Sequence, residues 1–216
     1  MNAESKEPGT RDKILIAAAT MLGENPSARL SVRAVAARAQ VSTGSLRHFF
    51  PTQRELIDTV VAGLYDVDIP DDPINDHALT PTERLVACLR LMLAQAGVGD
   101  RAREQWGALY EAYVASTPSD DEAATYLALE RMGRHRIEQW LTALIEEGAI
   151  PEGEIEQRAQ FLATVINGLA TERALPAEAV RVEVETKTLR LAVHAVTTAW
   201  TDARSALLNP STSSPV

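Results

Sequence analysis

The stretch SVRAVAARAQVSTGSLRHFF, residues 31–50, constrains the chain more than any other. Ser31 and Ser42 are both helix-starting hydroxyls, so two short helices joined by a tight turn must fit within it. The first, running to about Ala39, turns Val32, Val35 and Ala36 inward, and Ala36 is small where a second helix would cross. The second carries Leu46 and Phe49 on its apolar side. Thr43, Ser45, Arg47 and His48 are left outward. Such a helix-turn-helix lays the polar edge of its second helix into a DNA major groove.

Both flanks supply what the motif lacks. Thr10 can cap a preceding helix with Asp12 in its first turn, and Ile14, Ala17, Met21 and Leu22 make one apolar stripe before Gly23 ends it. Val35, Val41, Leu46 and Phe49 are expected to seal the motif onto that stripe. Thr52 and Glu55 have the spacing of a capping box and open a fourth helix to about Tyr65. The net charge of −9 would disfavour a nucleic-acid partner if it were spread evenly. It is not: residues 1–66 hold 8 Lys and Arg against 7 Asp and Glu, and the remainder holds 13 against 23. Between Ala28 and Arg54, the residues Arg29, Arg33, Arg38, Arg47 and Arg54 meet no acid at all, which is a basic footprint.

Residues 66–82, with three prolines and five aspartates, read as a loop between modules. Helical periods then cover 84–96, 101–115, 121–147, 154–175 and 177–208. With 5% aromatics the chain is expected to be all-α, about nine helices. A three-helix helix-turn-helix DNA-binding domain over 1–66 precedes a larger helical ligand-binding and dimerisation domain over 67–208, and residues 209–216 form a disordered tail. The lone Cys88 forms no intrachain disulfide and no zinc site, and no apolar stretch is long enough to span a bilayer. The expectation is a reduced, cytoplasmic chain with no membrane partner, no metal and no cofactor.

Val182, Leu189, Val193, Val196, Trp200, Ala203 and Leu207 repeat close to every 3.5 residues, as in a helix–helix seam. Ile155, Leu162, Val165, Ile166 and Leu169 stripe the preceding helix, where Gly168 permits close approach. Two such hairpins related by a dyad close a four-helix bundle, with Leu162, Val165, Leu169, Leu189, Val193, Val196 and Trp200 at a homodimer interface. The alternative is that both stripes pack inside one chain.

The run VSTGSLRHFFPTQRE, with the helix before it and the capped helix after it, resembles the TetR family of regulators over about residues 10–60. Three positions depart from the family pattern: Gln40 replaces a turn glycine, Arg47 a tyrosine and Gln53 a lysine. The resemblance implies DNA contacts from Ser31, Arg33, Ser42, Thr43, Ser45, Arg47, His48, Thr52 and Gln53. Thr43, Ser45 and Arg47 are the base readers among them, and amides at the starts of the second and fourth helices meet phosphates. FLATVINGLATERAL is similar to the carboxy-terminal hairpin of BetI-like members. The family's second module dimerises and captures an effector. Trp106, Tyr110 and Tyr113, at i, i+4 and i+7, share one helix face, and Leu89, Met92, Met132, Trp140 and Phe161 could complete an apolar pocket with them. An aromatic stripe at helical spacing is more often plain core.

The expected function is a sequence-specific regulator, a dimeric repressor released from a palindromic double-stranded operator by an unidentified small-molecule effector. One alternative is a DNA-binding factor without effector control. An all-helical enzyme is the other, through Cys88 with a distant His or through His135 beside Glu130 or Glu138. Neither constellation has a supporting motif, so no catalysis is expected.

Overall fold

The computed structural model describes residues 8–24, 30–65, 71–176 and 181–198. Among them all regular structure is helical: α1 (Thr10–Glu24), α2 (Val32–Arg38), α3 (Thr43–Phe49), α4 (Gln53–Tyr65), α5 (Pro81–Gln95), α6 (Asp100–Tyr110), α7 (Asp120–Glu146), α8 (Ile155–Ala174) and α9 (Arg181–Thr198). The chain forms two compact units, one of Met1–Asp68 with Gly107–Met132, the other of Ile69–Trp106 with Gly133–Val216. This division differs from a single cut after residue 66 by two residues at the boundary and by the segment 107–132. The reason lies in α7, whose Ala128 is fully buried in the core of the first unit with Leu129 and Met132 packed against it. The expected tail, 209–216, lies outside the described residues, as do Trp200, Ala203 and Leu207.

In the first unit local rules set the helix ends. Asp12 accepts the Gly9 amide at 3.3 Å, and Ile14 and Ala18 are fully buried. Ser31 caps α2 by accepting the Ala34 amide, and Ser42 caps α3 by accepting that of Ser45. Between them the chain reverses at Gln40, φ 56°, with the Val41 amide donating to Ala36 O at 2.9 Å and the Gln40 amide to Ala37 O at 3.2 Å. This double closure is the Schellman arrangement, and it holds a non-glycine in a conformation that costs about 1–2 kcal/mol. The turn therefore keeps its shape without the glycine.

The expected apolar seal is corrected at one residue. Val35 and Leu46 are fully buried and Val41 partly so, but Phe49 is 38% exposed and its neighbour Phe50 is buried. Phe50 stands one helical turn after Leu46, and its amide donates to Leu46 O at 2.8 Å, which puts its ring, and not that of Phe49, under the motif.

The second unit starts earlier than its periodicity suggests. Thr80 and Glu83 form a full capping box, so α5 begins at Pro81 inside the expected loop. The same loop contains a 3₁₀ turn, Pro73–Asn75, whose Ile74 enters the core beside Leu85 and Leu89 of α5, Trp140 and Leu144 of α7, Leu162 of α8 and Val193 of α9. Buried charges tie this unit together. Asp72 accepts hydrogen bonds from the Ile74 amide (3.1 Å), Arg136 Nη2 (2.8 Å), Trp140 Nε1 (2.9 Å) and Cys88 Sγ (3.4 Å). Arg84 joins Glu147 to Ile74 O. Arg173 on α8 pairs with Glu185 on α9 at 2.7 Å while donating to Leu93 O and Gly97 O at the end of α5. Arg158, 1% exposed, donates to Pro151 O and Glu152 O and lies over Gly153, where a Cβ would stand 2.6 Å from its Nη2.

Candidate nucleic-acid interface

α3 is held as a reading helix by two facts of its sequence. Ser42 fixes where it starts, and Leu46 and Phe50 fix which side faces inward. Thr43, Arg47 and His48 are consequently exposed, with Ser45 half-exposed at the edge. His48 meets Phe49 edge to face, ring centroids 5.1 Å apart, which gives the imidazole a fixed neighbour at the helix end. Ser31, Arg33, Ser42 and Thr52 are exposed as well, and Gln53 is half-buried at the start of α4. The Ser31, Ser42 and Thr52 hydroxyls each accept an amide from within the first turn that follows, leaving their own O–H free to donate.

The basic footprint is smaller than the sequence suggests, because acids outside residues 28–54 fold back onto it. Arg38 makes a two-pronged pair with Glu24, at 2.5 and 2.7 Å, and Arg54 lies 3.7 Å from Asp58, which also faces Arg131 of α7 at 3.4 Å. Arg29 lies outside the described residues. Arg33 and Arg47 have no carboxylate partner among the described residues and keep their charge available to a polyanion. Pairing across fourteen residues of sequence, as for Arg38 and Glu24, leaves no local pattern.

The proposed pocket residues fall on both units. Leu89, Met92, Trp106, Trp140 and Phe161 belong to the second, Tyr110, Tyr113 and Met132 to the first. Leu89 is fully buried core, and Trp140 is buried with its indole N–H on Asp72. The aromatic stripe is interrupted, since α6 passes at Glu111–Ala115 into a wider π turn that alters the register between Tyr110 and Tyr113. Tyr113 packs on Tyr126, centroids 5.0 Å apart. In the second unit an open groove of about 630 Å³ is lined by Arg134, Glu138, Glu156, Gln157, Gln160 and Phe161, the last of which is among the expected pocket residues.

Much of the expected dimer seam lies inside the chain's own core. Leu162, Leu169, Leu189, Val193 and Val196 are between 0 and 4% exposed, inside the core of their own chain, and Val165 is packed partly against it. Val182 is 76% exposed, and Gly168 is exposed with nothing within 4 Å of where its Cβ would be. A stripe records burial, whichever chain supplies the cover. Among the outward residues of the hairpin are Phe161, Thr164 and Gly168 of α8, Leu175 just after it, and Val184 and Leu191 of α9.

As for chemistry, burial pushes the Cys88 thiol far up, away from nucleophilic thiolate, and Asp72 beside it adds to the shift. His135 Nδ1 lies 3.2 Å from Glu138 Oε2 at a half-exposed position. Among the described residues no group of acids, histidines and cysteine could hold a metal ion, and no helix is long and apolar enough to cross a membrane.

A capped, amphipathic reading helix packed on α1 and α2 defines a helix-turn-helix DNA-binding protein. The comparisons make this specific. Residues 14–60 match the family of bacterial regulatory proteins named for TetR, and residues 81–198 match the BetI-type transcriptional repressor carboxy-terminal domain. The chain belongs to the TetR family of transcriptional regulators, with a carboxy-terminal half of the BetI type. No curated protein matches it in sequence. Among solved structures it is similar to a transcriptional regulator from Rhodococcus sp. Rha1 (22% identity, TM-score 0.47, covering 86% of this chain and 94% of that one). It is also similar to GusR of Salmonella enterica (15%, 0.48, 92% and 100%) and to MexZ of Pseudomonas aeruginosa, a repressor (18%, 0.45, 88% and 96%).

Proposed function

We propose that this regulator is a dimeric repressor that reads a palindromic operator through α3 and is released by a small organic effector. The observation that carries the reading head is the division of α3 into a buried side, Leu46 with Phe50 after it, and an exposed side of Thr43, Arg47 and His48. Thr43, Ser45 and Arg47 read base edges, while Ser31, Arg33, Ser42, His48, Thr52 and Gln53 meet the phosphate backbone. The repressor sense is supported by the BetI-type match over residues 81–198.

Two copies join through the outward face of the α8–α9 hairpin. Phe161, Leu175, Val184 and Leu191, from 37% to 69% exposed, are the apolar residues that a second copy would cover, and Gly168 admits close helix approach. The buried layer of Leu162, Leu169, Leu189, Val193 and Val196 supports that face from beneath. The dyad then sets two reading heads about 34–36 Å apart or a multiple of it.

In vitro selection of bound duplexes tests the head and the dyad together, and a palindrome of that period is the expected product. On the selected operator, Arg47→Ala weakens binding by about 1–3 kcal/mol in a gel-shift titration at fixed salt. Unchanged affinity removes Arg47 from the interface. The openness of the groove beside Phe161 favours one second reading, a DNA-binding factor without effector control. A thermal-shift screen of small hydrophobic and cationic compounds separates the two, since a ligand of the folded state raises the melting temperature.

A further inference from the structure

Arg11 has no evident structural reason to be where it is. It lies in the first turn of α1, where the helix dipole disfavours a cation. Its side chain is exposed, it has no carboxylate partner among the described residues, and its guanidinium carbon lies 5.6 Å from the centre of the Phe50 ring. An exposed cation–π contact offsets part of that cost. The contact does favour a position of the guanidinium over the Phe50 ring. Phe50 ends α3 and stands two residues before Thr52, which caps α4 by accepting the Glu55 amide at 3.1 Å. The ring thus holds the charge at the corner where α3 hands over to α4.

We propose that Arg11 is a backbone-phosphate contact of the reading head, held by Phe50 beside the corner of Thr52 and Gln53. It joins Arg33 and Arg47 as a third cation of the first unit that is exposed and lacks an acidic partner among the described residues. The assignment rests on the reading of α3 as a DNA-binding helix. It adds a residue that the 31–53 contact set does not contain, and one that carries affinity and no sequence preference.

The test uses the full-length protein on its selected operator and on an unrelated duplex, with affinity measured across a salt series. Arg11→Gln should weaken both duplexes by the same factor and lower the slope of log affinity against log salt by about 0.9 for each bound head. Arg11→Lys keeps the charge and should keep the slope. A wild-type slope in Arg11→Gln, or an equal loss of slope in Arg11→Lys, overturns the proposal while the α3 reading stands. A wild-type protein that binds no duplex at low salt overturns both.

Discussion

Among its described residues the first unit buries no charged side chain, whereas the second buries Asp72, Arg84, Arg158 and Glu185. Each ion taken from water costs several kcal/mol unless hydrogen bonds and an opposite charge compensate it. In the second unit three of the four have both: Asp72 gathers four donors, Arg84 pairs with Glu147, and Glu185 binds Arg173, which also meets two carbonyls at the end of α5, whereas Arg158 rests on two backbone carbonyls with its Nε unpartnered. The first unit ends its helices by hydroxyl caps a few residues away, at Ser31, Ser42 and Thr52. One half is fastened by short-range caps and keeps its arginines at the surface. The other draws its charges inside to fasten distant segments, and that difference suits a head for a polyanion joined to a body for something else.

The largest expected effect breaks the contrast at its strongest point. Arg173→Ala leaves Glu185 with 11% of its side chain exposed and no pair, and should lower the unfolding free energy by about 3–5 kcal/mol in urea titrations. A loss under about 1 kcal/mol would reduce this pair to the worth of a surface pair and dissolve the comparison. On the other side, Ser42→Ala removes a cap from α3 and should cost about 1 kcal/mol by the same measurement. A cost as large as that of Arg173→Ala would show that the first unit depends on more than local ends.

The smallest effect concerns acid. The hydrogen bond from Arg84 holds the Glu147 carboxyl below its ordinary value of about 4.3. Because the folded form releases that proton more readily than the unfolded chain, the stabilisation is present above about pH 4.3 and fades as the pH falls below it. Glu147 keeps 34% of its side chain exposed, so solvent screens the gain. Thermal melts from pH 6 down to about pH 3 should show a shallower acid decline in Glu147→Gln than in wild type. Parallel declines would assign the acid sensitivity elsewhere.

What could be read from the sequence follows the same division. Caps act over three residues, so Ser31, Ser42 and Thr52 placed the starts of α2, α3 and α4 before any coordinates were needed. The turn at Gln40 was legible only through the family pattern, which has a glycine there, and its left-handed backbone shows the turn formed without one. Phe49 against Phe50 was not: both adjoin the apolar side, and only the backbone at the end of α3 decides which ring goes under. Partners far apart in sequence were not legible either. Nothing local to Asp72 announces Trp140, and nothing local to Arg38 announces Glu24. The apolar repeat of α9 told that Leu189, Val193 and Val196 are covered but not that their own chain covers them.

Gly153 carries a consequence for how this sequence can change over time. Its φ of 156° already favours glycine, and Arg158 occupies the space that any side chain would enter, with its own guanidinium anchored to two carbonyls. Alanine or anything bulkier at 153 has to displace the Arg158 guanidinium from those carbonyls, so the bend between α7 and α8 would need a different fastening.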